Sequence, residues 1–528
     1  MKPSAFVAPA LCLGLAVLGG GCQLIVDTDP ESVVPPDAGP DAEVLDLETP
    51  RDVGDGDPNA CAVDLDCTSR SGPRFRCGGD NTCFDLDEPC QGPPVRVSQD
   101  IVTDQTWYAD TCYELAGTIF VRDNAMLTIR EGTLVTGLAD RAALIVTRTG
   151  RIMVSGTATD PVVMTSAEPA GRRQPGDWGG LALLGRAPIN AVGGEAFLEG
   201  LTESDNSAYG GSDPEYSCGT LEYLRVEFAG FELSNNKELN GLTLGGCGMD
   251  TKIEHVQVHY GSDDGIEVFG GSVGLQWIVI SRAQDDSLDW DLGWLGWAQY
   301  VAILMDEPRP DLDVNIFTGG DNGIEADSSS DETAGIPRSR PRLYNFTMLG
   351  SRRDGSRTRG MLLRRGTSAE MRNFLVGGFS NGLWDIGDEL TSDCMRTPLG
   401  STCTASSAFA LDGLVLWDMG ADGTTWVEAE TDDDDGGFDE AAFITGSSSP
   451  RQILGTDPAL VQPDLNGVFD IDLRPIASSP TNLEGNGVAL VPYSDPPEQV
   501  QPQGHRYVGA FEPSGVDWME GWTAFPEN

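Results

Sequence analysis

The chain is poor in basic side chains and nearly empty of histidine. Against 83 Asp and Glu it carries 33 Lys and Arg, a net charge of −50 over 528 residues. Nucleic-acid binding needs a basic footprint that displaces counterions, so this balance excludes it and favours cations as partners. Three His in all (His255, His259 and His505) argue against a multi-histidine metal centre. No Cys-x-x-Cys spacing suits zinc, and no P-loop, dinucleotide fingerprint, nucleophile elbow or zincin motif occurs. Beyond the first 21 residues there is no apolar run of the roughly 18 residues a membrane span needs. Helical periodicity is missing from every long window.

What the N-terminus does contain is an address. Residues 1–21 carry Lys2, an apolar stretch from Ala5 to Leu18 and then small residues, the pattern of a secretion signal. The ending Leu18-Gly19-Gly20-Gly21-Cys22 resembles a bacterial lipobox, with Leu18 one position further out than usual. That resemblance implies a diacylated (palmitate-bearing) Cys22. With Gln23 next, it also implies an outer-membrane or cell-surface lipoprotein, attached to the membrane through its N-terminal lipid. Residues 22–60 are Pro- and Asp-rich without periodicity and should form an extended, disordered acidic tether.

Twelve Cys, less Cys12 and Cys22, leave ten, an even number that suits disulfides in an exported chain. Cys61, Cys67, Cys77, Cys83, Cys90 and Cys112 crowd the start, and their connectivity is open among 15 possibilities. Cys218 with Cys247 and Cys394 with Cys403 are the natural pairs downstream. Residues 61–92 are expected to be a small Cys-rich module, 93–480 the main domain, and 481–528 a segment capping or closing it.

From about residue 93, short β-branched strands are broken by Gly, Asn and Asp. The motif Asn240-Gly241-Leu242-Thr243-Leu244 returns at Asp264, Asp286, Asn322, Arg359, Asn381 and Asp412, at intervals of 24, 22, 36, 37, 22 and 31 residues. A base period near 22–24 with insertions marks a solenoid. Strands of three to five residues at that period predict an all-β, right-handed parallel β-helix with three strands per coil, about ten coils, rungs about 4.8 Å apart. The Asn, Asp and Gly of each turn are expected to serve a left-handed backbone. Ala125–Ile129, Leu144–Thr147, Ile152–Val154 and Val162–Thr165 fit the same plan upstream.

The strings LTIREGTLVTG, PGDWGGLALLGRAPIN, HYGSDDGIEVFGG and YVGAFEPSGVDWMEGWTAF resemble a family of largely uncharacterised bacterial surface lipoproteins. The resemblance spans roughly residues 95–350 and the last twenty-five. It implies a pectin-lyase-like β-helix and an exported protein, and no particular reaction.

If the middle residue of each strand points outward, stacking gives a column Thr243, Glu267, Asp289, Glu325, Leu362 and Trp384. Asp263, Asp264, Asp285, Asp286, Asp321, Asn322, Asp291 and Asp327 flank it. Like charges 4.8 Å apart repel by about 1 kcal/mol in water and about 3.5 kcal/mol at an effective dielectric of 20. Something must neutralise them: Ca²⁺, a raised carboxyl pKa, or arginines of the next coil (Arg352, Arg353, Arg357, Arg359, Arg364, Arg365). Arg359, Arg364 or Arg365 would also be the base of a lyase.

YGSDDGIEV and AQDDSLDWD resemble the Asp-Asp segment of β-helical polygalacturonases, whose Gly-His-Gly and Arg-Ile-Lys segments are missing here. Trp294, Trp297 and Tyr300 are candidates for stacking on sugar rings; Trp290 aligns with inward Val268 and reads as core. The Asp run in Thr431–Glu440 reads as a solvated loop. Two functions remain: a monomeric, non-enzymatic surface lipoprotein binding a polysaccharide or a surface protein, or a Ca²⁺-dependent polysaccharide hydrolase or lyase on the acidic face.

Overall fold

The computed structural model describes residues 75–77, 83–85, 90, 92–139, 141–234, 237–305, 321–329, 335–351, 358–420, 422–427, 434–445, 452–462, 471–476, 507–513 and 515–526. The signal 1–21, Cys22, the tether 22–60, Cys61, Cys67, Arg352, Arg353 and Arg357 lie outside the described residues.

Alternating apolar residues and a coil-length period produce two large parallel sheets. The smaller runs in chain order through Thr118–Val121, Ala143–Val146, Leu181–Leu184, Leu242–Gly245, Ile266–Phe269, Leu288–Asp291, Asn322–Ala326, Arg359–Leu363 and Trp384–Ile386. Each strand pairs with those of the coils before and after it, the geometry of a parallel β-helix.

Early coils have three separate strands. Met126–Arg130 pairs with Arg151–Ser155, which pairs with the first half of Gly219–Glu227; Leu134–Gly137 pairs with Val162–Ser166, which pairs with the second half. From there on, two strands of each coil fuse into one of eight residues, as in Lys252–His259, Gly274–Ser281 and Trp297–Leu304. Each fused strand bends at a residue of positive φ, giving a ladder of Tyr223 (50°), His255 (55°), Trp277 (55°), Tyr300 (58°), Asn345 (56°), Asn373 (64°) and Gly413 (73°). A left-handed non-glycine residue costs about 1–2 kcal/mol. Ring stacking offsets it, with centroids 4.2, 4.6 and 5.9 Å apart from Tyr223 through His255 and Trp277 to Tyr300.

This corrects the expectation for four of the repeated turn glycines. Gly241, Gly265, Gly323 and Gly360 do not have positive φ. They are glycines because a Cβ would strike the neighbouring coil: Val258 for Gly241, Ile280 for Gly265, Met348 for Gly323 and the Leu383 carbonyl for Gly360. Gly382 (φ 98°) keeps the expected left-handed turn, and left-handed backbone recurs at the bends.

The interior holds one long apolar core from Ile101 to Ile444. The C-terminal segment lies along the flank of the stack rather than across an end. Gly509 N–H donates to Asn373 O (2.9 Å), Ala510 N–H to Thr347 Oγ1 (2.9 Å), and Gln257 exchanges bonds with Ala524 (2.7 and 2.9 Å). Phe511, Met519, Trp522 and Phe525 thereby cover Val279, Ala302 and Leu304 on the outer face.

Three disulfides are placed among the described residues. Cys218–Cys247 and Cys394–Cys403 are the expected pairs, with Cα atoms 5.6 and 5.1 Å apart. Cys90 joins Cys112 (5.4 Å), tying the Cys-rich region to the second short strand of the stack, Tyr113–Leu115, through the residue before it. Cys77 and Cys83 face each other in a hairpin and are both disulfide-bonded.

Candidate functional site

The register of the smaller sheet builds one outward column: Phe120, Ile145, Ala182, Thr243, Glu267, Asp289, Glu325, Leu362 and Asp385. Its last member corrects the expected Trp384. That residue pairs with Met361 and points into the core, because the strand after Gly382 begins one residue later than in the other coils. The first three positions are covered by the excursion after Leu184, whose Ile189, Leu198 and Tyr209 pack on Ile145 and Ala182. Where that cover stops, the acidic coils begin.

A cavity of about 380 Å³ opens there. Leu198, Glu199, Leu239, Phe269 and Arg365 line it together with Asn240, Thr243, Asp263, Asp264, Glu267, Asp289, Asp291, Glu325 and Asp327. Among the described residues, eight carboxylates thus share it with one cation. Oxygens of Asp264, Glu267 and Asp289 lie within 4.8 Å of one another, as do oxygens of Asp263, Asp264 and Asp285. Asp285 and Asp321 stand at the exposed turns outside the cavity, and buried Asp286 lies behind it.

The turn aspartates have a structural duty as well. Asp264 Oδ1 accepts from Asp286 N–H (3.0 Å), and Asp286 Oδ1 accepts from Asn322 N–H (2.8 Å), so each carboxylate ties down the next coil. Glu267 accepts from Asn240 Nδ2 and is hydrogen-bonded to Asp289, while Asp286 is hydrogen-bonded to Glu325.

The two ends of the column are neutralised differently. Arg364 bonds Glu325 and reaches both oxygens of Asp327 at 3.2 Å; Arg365 Nη1 lies 2.5 Å from Asp327. Arg359 belongs to a lower rung, 3.1 Å from Asp385 and 3.3 Å from Asn322 Oδ1. Among the described residues, no ion pair reaches Asp264, Glu267 or Asp289. Burial, reinforced by neighbouring charges, pushes Asp264, Asp286 and Asp289 well above the usual carboxylate range. Glu267 also rises well above it through burial, although the Asn240 bond opposes the shift. Asp291 is pushed up to about 6 by burial, and Asp285, Glu325 and Asp327 rise for the same first cause. Asn240 Oδ1, in a residue 4% exposed, and Asp289 Oδ1 are buried oxygens with no hydrogen-bond partner among the described residues. An all-oxygen donor set with unsatisfied acceptors fits a hard cation such as Ca²⁺.

The aromatic expectation is corrected. Trp294, Trp297 and Tyr300 are 0%, 4% and 3% exposed and offer no face to a sugar. Trp294 packs on Trp290 in the core and donates to Val273 O (3.1 Å); Trp297 lies over Gly274; Tyr300 stacks on Trp277. Trp290 points inward as expected, its Nε1 on Thr367 Oγ1 at 3.0 Å. The stacked rings were missed, yet His255, Trp277 and Tyr300 recur at intervals of 22 and 23 residues.

Neither His255 nor His259 lines the cavity. His255 is held in the ring stack, and His259 is buried between Ser281 Oγ (2.7 Å) and Pro526 O (2.8 Å). Where it is described, the acidic run is solvated at Asp434 and Asp439 but anchored at Asp435 and Glu440, which are buried; Asp435 Oδ1 holds Phe438 N–H at 3.0 Å.

The chain matches the model of a pectate-lyase like beta helix domain over residues 99–409. No curated protein and no solved structure matches it. More than half of the sequence lies within that match, and most of the observed coils fall inside it, with Val95–Val97, Ala410–Trp417 and Gln452–Leu454 beyond its ends. The chain belongs to the pectate-lyase-like β-helix family.

Proposed function

We propose that this chain is a cell-surface lipoprotein, anchored through Cys22, whose β-helix binds a divalent cation and, through it, a glycan or other polyhydroxylated surface component without cleaving it. The observation that carries the reading is the cluster of Asp264, Glu267 and Asp289, with carboxylate oxygens within 4.8 Å of one another. Two ligands at opposite sides of a Ca²⁺ ion, each at about 2.4 Å, are about 4.8 Å apart, so the cluster has the size of one coordination sphere. Asn240 Oδ1 is a further oxygen at the same cavity. Three carboxylates and one amide leave positions of a six- to eight-coordinate ion for hydroxyl groups.

A binding role is favoured over cleavage by what lines the cavity. Among the described residues it has no His or Lys, and its one Arg is paired with Asp327 at 2.5 Å, leaving no neutral base for proton abstraction there. The hydrolase reading draws on one observation, the hydrogen-bonded Glu267 and Asp289, since one partner of such a pair retains a proton and resembles a general acid.

A glycan array run with Ca²⁺ and with EDTA tests the proposal. Binding that disappears in EDTA, with no reducing ends or unsaturated products from the bound glycan, is the expected result. Product formation abolished in the Glu267→Gln and Asp289→Asn variants would replace binding by catalysis. For the anchor, Cys22→Ala should move the protein from the membrane fraction to the soluble one.

A further inference from the structure

The segment after the last strand of the smaller sheet forms a second cavity, of about 590 Å³, between Arg364 and Arg365, the short helix Glu389–Ser392 and the loop at Ser401 and Thr402. The Cys394–Cys403 disulfide closes that loop. It spans 9 residues, against 22 and 29 for the other two placed disulfides, so loop-closure entropy stabilises it least.

The two sulfurs differ in surroundings. Cys394 is 1% exposed, while Cys403 is partly exposed beside Ser407, whose Oγ lies 3.3 Å from its sulfur. Arg338 Nη1 points at Cys394 Sγ from 3.0 Å, and the same guanidinium donates to Leu390 O (2.9 Å) and Thr402 O (3.1 Å). Asp388 and Asp393 also face this guanidinium, and Asp393 is committed to Thr402 N (3.1 Å) and Oγ1 (2.7 Å). An arginine beside a sulfur favours its thiolate, and a thiolate of low basicity leaves a disulfide fastest.

We propose that Cys394–Cys403 is an exchangeable disulfide, with Cys403 the sulfur attacked by an external dithiol and Cys394, held by Arg338, the sulfur that leaves. The incoming thiolate bonds to Cys403 Sγ, and the electron pair of the broken S–S bond departs on Cys394. The second thiol of the reductant, deprotonated, then attacks the first reductant sulfur and expels Cys403, which takes up a proton. Two electrons pass from the dithiol to the cysteines, and the dithiol becomes a cyclic disulfide. The contacts of Asp393 and Arg338 to Thr402 persist, so exchange loosens the cavity wall without unfolding the coil.

The test treats the folded full-length chain with dithiothreitol, traps thiols with iodoacetamide over time and maps the alkylated peptides. Cys394 and Cys403 should be trapped at least about tenfold faster than Cys218 and Cys247, which are 2% and 0% exposed. Arg338→Gln should slow their reduction at least about fivefold, and Arg338→Lys should restore most of the rate. In the reduced wild type, ultraviolet titration should find the Cys394 thiolate forming below the ordinary thiol range, a readout that survives even if Arg338→Gln misfolds. Equal rates for the two disulfides, an Arg338→Gln rate equal to wild type, or a Cys394 thiol titrating in or above the ordinary range would each overturn the proposal.

Discussion

Glu267 and Asp289 stand side by side on adjacent coils, hydrogen-bonded to each other, with no arginine among the described residues paired to either. One coil further on, Glu325 is paired with Arg364. The same outward position therefore carries two electrostatic solutions: ion pairing at one end and proton sharing or a cation at the other.

Removing one charge from the uncompensated end should stabilise the metal-free protein. Asp289→Asn is expected to raise stability in EDTA at pH 8 by about 1–2 kcal/mol, since like-charge repulsion at partly buried sites is of that order. The same substitution should abolish any stabilisation by added Ca²⁺. Urea unfolding with and without Ca²⁺ measures both.

Titration follows from the raised carboxyls. Asp291 in the folded chain holds its proton up to about pH 6, whereas unfolded it loses it near 4. Between those values the folded state binds more protons, so stability falls as pH rises through the window, by at most about 3 kcal/mol from this group. His255 acts in the opposite sense: burial lowers it to about 4, so stability is lost as pH falls below 6.5. Asp264, Glu267, Asp286 and Asp289, raised well above the usual carboxylate range, act in the same sense as Asp291. Metal-free protein should lose stability as pH rises through the titration of these carboxyls, and saturating Ca²⁺ should flatten or reverse the slope in urea titrations.

Gly265→Ala should cost about 2–4 kcal/mol although its φ is ordinary, because the new Cβ meets Ile280 and the Ser287 carbonyl. Combining it with Ile280→Ala should cost less than the sum of the two single changes. A double-mutant cycle in urea gives the coupling.

At the bend ladder, Trp277→Ala loses ring stacking while keeping a left-handed non-glycine residue. It should cost about 3 kcal/mol or more. Trp277→Gly should cost about 1 kcal/mol less than Trp277→Ala, because glycine accepts that backbone freely. Equilibrium denaturation of the two variants compares them.

The period was legible because each coil repeats the same inward residues, and the forecast strands at Leu144, Ile152 and Val162 fall within a residue of the observed ones. The acidic column was legible for the same reason, since a parallel register places Glu267, Asp289 and Glu325 one above another. Its end was misplaced at Trp384 because a one-residue shift in a parallel strand exchanges inward for outward. Fusion of two strands per coil was not legible, since aromatic residues rarely adopt a left-handed bend and their stacking makes it tolerable at Tyr223, His255, Trp277 and Tyr300. Nor was the burial of Trp294, Trp297 and Tyr300: a Gly-rich stretch reads as a loop, but here the glycines admit the rings into close packing. Asn240 stood in the repeat as a turn residue, and its unsatisfied oxygen is a property of the folded cavity alone.

The most direct test is a calorimetric titration of the metal-stripped full chain with Ca²⁺ at pH 7.5. The account predicts saturable binding with release of protons, lost in Asp289→Asn and in Glu267→Gln and retained in Arg359→Gln. No binding heat in several buffers, together with an unchanged unfolding midpoint at millimolar Ca²⁺, would contradict it.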